Sequence, residues 1–143
     1  MFSQTKSSQI VLSILGLSFA LVAILGLFVP RILFSQVEIA FNGPAALAEI
    51  RAAYGGLFGI VAILFFAGVY KPVFRKVALW CGVLVLGGFA VGRVFSLFVD
   101  GVPNTAAWAA FFIEGTALLA CGILYRLETR SEERLSSLNS SVK

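Results

Sequence analysis

The chain has 143 residues, 59% of them hydrophobic and only 13% charged, with 11 basic and 7 acidic side chains and no histidine. A soluble globular domain carries about 25% charged residues, so a chain of this length and mean hydropathy (+0.98) exposes too much apolar surface for water and suits a bilayer. The lack of histidine removes the usual metal ligand and pH switch, and basic residues gathered at segment ends rather than on one face argue against nucleic acid as a partner.

A short polar start over 1–8 leads into Ile10–Val29, a run of 20 residues without a charge. At 1.5 Å rise per residue it spans about 30 Å, the thickness of the hydrocarbon core. A signal peptide has a shorter apolar region, about 7–15 residues, ahead of a small-residue cleavage site. This run is longer and ends in Pro30-Arg31, so it predicts a first transmembrane helix over 9–29. In the connection that follows, Val37, Ile39 and Phe41 alternate with Glu38, Ala40 and Asn42. That period of two suggests an extended segment lying at the membrane surface.

Asn42-Gly43-Pro44 is a turn signal, and proline suits the first position of a helix. The second helix is predicted over 44–70, with Glu49, Arg51 and Tyr54 in its first turns and a GxxxG pair at Gly55 and Gly59. Such a pair lets a neighbouring backbone approach closely, within the bundle or in a homodimer. Lys71–Lys76 reads as a tight basic connection in which Pro72 breaks the helix. The third helix, 77–99, holds a second GxxxG at Gly88 and Gly92, and it carries Arg93 well inside. An arginine at a helix centre in hydrocarbon costs roughly 2.5–3.5 kcal/mol, so Arg93 demands a partner or water. After the turn Asp100–Asn104, Asn104 or Thr105 can cap a fourth helix over 104–126, with Glu114 near its middle. The remainder, 130–143, is a polar tail, and Arg126, Arg130 and Arg134 repeat at four from the end of the fourth helix into it. The helix is expected to run two turns into water and to fray from Ser136.

The chain is therefore expected to be all-α: a polytopic membrane protein with an antiparallel four-transmembrane-helix bundle over 1–129 and a polar cytoplasmic tail over 130–143. Four spans put both termini on one side, together with Lys6, Lys71, Arg75, Lys76, Arg126, Arg130, Arg134 and Lys143; only Arg31 and Arg51 fall near the other. The positive-inside rule then predicts a multi-pass protein of the inner (plasma) membrane with cytoplasmic termini.

That orientation gathers Glu49, Arg51, Arg93, Asp100 and Glu114 in the outer half or at the centre of the membrane, with Tyr54 and Ser96 as hydrogen-bonding support. Arg93 lies on the same face as Asp100, about 10 Å deeper. Two readings compete. The layer forms an outward polar pocket that offers Arg93 and Arg51 to an anionic or polar headgroup, or it is an internal network in which Arg93 pairs with Glu114 or Asp100 and Arg51 with another acid. A proton-coupled transporter is a sharper alternative, but no ionisable group beyond Cys81, Cys121, Tyr70 and Tyr125 continues a path towards the cytoplasm. Cys81 and Cys121 share a depth, though in a reducing compartment they read as small buried residues. No nucleophile–base pair stands at a useful spacing, and no catalytic, metal or cofactor ligand set is visible. The expected partners are the bilayer, a lipid, quinone or other small amphiphile, and a second copy or a larger membrane complex.

Two stretches, Glu49–Gly56 (EIRAAYGG) and Gly92–Gly101 (GRVFSLFVDG), resemble the signatures of the bacterial domain-of-unknown-function family 4345. Its members are small four-helix membrane proteins akin to the DoxX-like group. The resemblance implies the same fold and a polar residue where Glu114 stands. DoxX-like relatives include a subunit associated with quinone-linked oxidoreductases, so a redox or quinone-associated component is the alternative to a non-enzymatic accessory or ligand-binding protein.

Overall fold

The computed structural model describes the backbone over residues 2–35 and 39–141, and side chains over 5–35 and 39–131 and at 133. All regular elements among these residues are helical: α1 (Phe2–Phe28), α2 (Pro30–Ser35), α3 (Pro44–Ile50), a π-helical stretch (Arg51–Leu57), α4 (Phe58–Tyr70), α5 (Pro72–Val99) and α6 (Thr105–Ser141). Four stretches are long and apolar enough to cross a membrane: Thr5–Phe28, Pro44–Tyr70, Pro72–Val99 and Thr105–Ser131. The second combines α3, the π-helical stretch and α4.

On α1, Leu12, Leu15, Phe19 and Ala23 are buried while Ile10, Ile14, Leu17, Leu21 and Ile24 are exposed. Both sets recur at helical spacing, so the helix is apolar all round, as a span wrapped by lipid must be. Several boundaries differ from the sequence-based expectation. The polar start is already helix, and its Ser8 is fully buried. The basic connection shrinks to Lys71, the only extended residue between α4 and α5, because Pro72 disfavours helix in the residue before it and itself fits the first helical position. The surface segment after α1 is helical over Pro30–Ser35; Val37 and Glu38 lie outside the described residues, and Ile39–Asn42 has no regular structure. The α6 backbone is helical through Ser141, beyond the predicted fraying point.

The helices form a ring: α1 packs on the second span, α4 on α5, α5 on α6, and α6 back on α1. Sequential neighbours are antiparallel, so the bundle has a base, which holds α1's start, the Lys71 turn and α6's end, and a mouth at the opposite side. The core is made by Leu12, Leu15 and Phe19, by Val61, Ala62 and Phe65, by Ala78, Leu79 and Leu86, and by Cys121 and Leu124. Burial is uneven along the bundle. On the α1 side it reaches the mouth through Ala23, Gly26, Phe34 and Gly55. On the other side it stops short: nothing in α5 beyond Leu86 and nothing in α6 before Cys121 is buried. The base is close-packed, and the α5–α6 pair stands open at the mouth.

Candidate functional site

Gly82, Leu86, Phe89 and Arg93 succeed one another at four, three and four residues along α5, a spacing that keeps them on one face. The first two are buried in the core, so Arg93 points into the bundle at the level where packing ends. There it meets Glu114 of α6. Arg93 Nε donates to Glu114 Oε2 at 2.9 Å and Nη2 donates to Oε1 at 2.8 Å. This fork-on-fork pairing is the strong form of an arginine–carboxylate contact. It leaves the pair neutral, with side-chain exposures of 33% and 22%. A guanidinium has five N–H groups, so three remain beyond the two that Glu114 engages.

The other charged and polar candidates do not join this pair into one network. Asp100, exposed, caps α5 and accepts a hydrogen bond at 2.7 Å from Oγ of the half-buried Ser96. Arg51 finds a carbonyl instead of an acid: its Nε donates to Leu27 O at 3.0 Å. Leu27 lies in the last turn of α1, where carbonyls lack helical partners and the helix dipole favours a cation, so Arg51 serves as a clasp between the first and second spans. Glu49 is exposed and makes no hydrogen bond or ion pair among the described residues. Tyr54 lies between Phe34 and Phe58, with ring centroids 4.5 and 5.1 Å away, and within electrostatic reach of Arg93. It sits in the π-helical stretch, a widened turn of a kind often found at functional sites.

Two hollows flank this level. A cleft of about 130 Å³ is lined by Arg93, Ser96 and Leu97 of α5, by Pro103, and by Ala107, Trp108 and Phe111 of α6. Asn104 shapes it, because its Oδ1 accepts from the Ala107 amide at 3.0 Å and starts α6. A groove of about 460 Å³ runs between the second span and α5, with Tyr54, Phe58, Gly88 and Phe89 among its walls. Sequence reasoning finds Arg93 and Ser96 but not Trp108, Phe111, Phe58 or Phe89, since an apolar residue in an apolar span carries no mark of the cavity it faces. Trp108 also stacks on Phe112, with centroids 5.8 Å apart.

A second polar group lies at the base, where the sequence shows only helix ends. Arg75 is 7% exposed and its Nε has no partner among the described residues. Ser8 Oγ donates to Glu128 Oε1 at 2.9 Å from a fully buried position. The base half therefore does hold ionisable groups, Arg75 and Glu128, besides the two cysteines. Both cysteines are free, and Cys121 is buried with its Sγ 2.9 Å from where a Cβ on Gly82 would stand. Among the described residues no cluster of three or more His, Cys, Asp or Glu could hold a metal ion.

Comparison with known families matches residues 7–125 to one described as a domain of unknown function (DUF4345). No curated protein matches the chain, and no solved structure does.

Proposed function

This chain belongs to the DUF4345 family, and from that premise we propose that it is a non-enzymatic membrane protein that binds a small amphiphile at the Arg93–Glu114 level. The observation that carries the reading is the contrast between the two ends. The base is filled to zero exposure by Leu12, Phe65, Leu79 and Cys121. The mouth is open on the α5–α6 side, and the arginine–carboxylate pair stands where filling stops. The pair is not sealed into the close-packed half, and both side chains keep some exposure. It borders a cleft whose other walls are mostly carbon, with a few polar groups to orient a ligand, which is the usual make-up of a small-molecule site.

The excess of basic residues at the base supports an orientation with termini in the cytoplasm and the mouth outward. The ligand then enters from the outer leaflet or the space beyond it. A lipid or a quinone fits this description equally. If it is a quinone, the protein serves as a quinone-holding partner of a redox complex. Proton-coupled transport is the less favoured reading, because between Glu114 and Glu128 the helix α6 buries Cys121 and Leu124 in the packed core.

The test is native mass spectrometry of protein purified in mild detergent. We expect one amphiphile of lipid-like mass per chain, lost in Trp108→Ala, which removes a cleft wall without touching the ion pair. A wild-type chain that carries nothing, and acquires nothing from a total lipid extract, would overturn the proposal.

A further inference from the structure

The cleft and the groove both border α5, with no wall residue in common. Phe89 lines the groove, and Arg93, four residues further and so one turn higher on the same face of the helix, lines the cleft. The groove is walled by carbon, with Leu57 and Phe58 on one side and Leu84 and Val85 on the other. Gly88 widens it: a Cβ added there would meet nothing within 4 Å, so this glycine is not used to bring two helices together. Its volume, about 460 Å³, falls in the ordinary range of small-molecule sites, about 300–1,000 Å³.

The Arg93 end offers different chemistry. With Glu114 on two of its N–H groups the guanidinium is neutralised, yet three N–H donors are left. An anion could accept from these donors too, but with Glu114 in place it would meet a neutral pair and the repulsion of the neighbouring carboxylate. A carbonyl or hydroxyl oxygen can accept from the remaining donors with the pair intact. Tyr54, at the edge of the groove and within electrostatic reach of Arg93, adds a hydroxyl that can donate or accept.

Resting on the amphiphile-binding reading above, we infer that the ligand is a single-chain amphiphile with an uncharged, oxygen-bearing head, which hydrogen-bonds to Arg93 while its chain lies in the groove between the second span and α5, past Phe89 and Phe58.

The chain has two tryptophans, and only Trp108 lines the cleft, so Trp80→Phe gives a protein whose fluorescence reports on the site alone. In lipid nanodiscs we would titrate that variant with a monoacylglycerol brominated near its head and with an alkyl sulfate of the same chain length and bromination. We expect the neutral compound to quench Trp108 at a mole fraction at least tenfold lower than the sulfate. Gly88→Leu or Ala53→Leu, each filling the groove from one wall, should raise the required mole fraction at least fivefold for the long chain and leave a short-chain monoacylglycerol unaffected. Equal or better quenching by the sulfate would overturn the neutral head. Indifference to both groove substitutions would overturn the chain's placement. If the wild-type chain proves dimeric and those substitutions dissociate it with quenching unchanged, the groove is a seat for a second copy, which overturns the placement likewise. If neither compound quenches Trp108 more than it quenches Trp80 in the reciprocal Trp108→Phe variant, binding at the mouth itself falls, and this inference with it.

Discussion

Arg93 and Glu114 share a bidentate contact, but they are not equal partners when one is removed. A carboxyl left alone in hydrocarbon can take up a proton, whereas a guanidinium cannot shed one. Breaking a buried ion pair costs about 3–5 kcal/mol, and the partial exposure of both side chains places this pair at the lower end, about 3 kcal/mol. Thermal unfolding in detergent should therefore rank Glu114→Ala as more destabilising than Arg93→Ala, with the double variant recovering most of the loss. If both single variants unfold at the wild-type temperature, the pair contributes nothing to stability and its donors exist for the ligand alone. Sequence alone marks Arg93, because an arginine deep in an apolar run is costly wherever it lies. It does not choose between Asp100 and Glu114, since one shares its helical face and the other its depth. The structure separates them: Asp100 closes its own helix with Ser96, and Glu114 comes across from α6. The partner of Arg51, a residue the sequence does mark, escapes for a related reason. That partner is a main-chain carbonyl in the last turn of α1, and such an acceptor has no residue type to read.

Glycine spacing shows what is legible at the scale of elements and what is not. Of the two GxxxG pairs, Gly55 is tight against α1, where an added Cβ would lie 2.5 Å from Leu27 Cδ2. Gly59 makes only ordinary contact with Ala23, and Gly88 and Gly92 face open space. The closest unyielding approach is made by Gly68, which belongs to neither pair. A Cβ there would stand 2.7 Å from Ala78 Cβ and 3.3 Å from Arg75 Cα, where α4 turns through Lys71 into α5. Neither atom can rotate away, so Gly68→Ala should cost about 1–3 kcal/mol, the usual penalty of overpacking. Gly88→Ala meets nothing and replaces the poorer helix former. It should be neutral or stabilising by up to about 1 kcal/mol. Denaturation of the two variants in one detergent checks the contrast, and equal losses would mean that α5 lies closer to the second span than the groove allows. The four spans themselves were readable because an apolar run of about 20 residues has few alternatives. Their ends were less so. The tight Lys71 turn brings Pro72–Lys76 into α5, and docking of Ser8 on Glu128 holds the polar start of α1 against the bundle.

Taken as a whole, the molecule is a plug at one end and a cup at the other, and this polarity is what hydropathy could not give. Hydropathy places residues in the membrane, but it does not distinguish lipid from a neighbouring helix, since both are apolar. Ser96 and Cys121 sit on opposite sides of that boundary. Ser96 lines the cleft at the mouth; Cys121 is fully buried at the base. In a Cys81→Ser background that retains Cys121, a membrane-impermeant maleimide applied to intact cells should label Ser96→Cys, and should leave the parent unlabelled even after the cells are opened. Labelling of Ser96→Cys only after opening would reverse the orientation that the basic residues support. Labelling of Cys121 would show that the base admits water, and the case against a through-route would collapse. If the mouth labels from outside and the base stays dark, the charged pair lies at the floor of a one-ended vestibule. Such a vestibule can hold a molecule and present it to a partner, but has no second opening through which to release it.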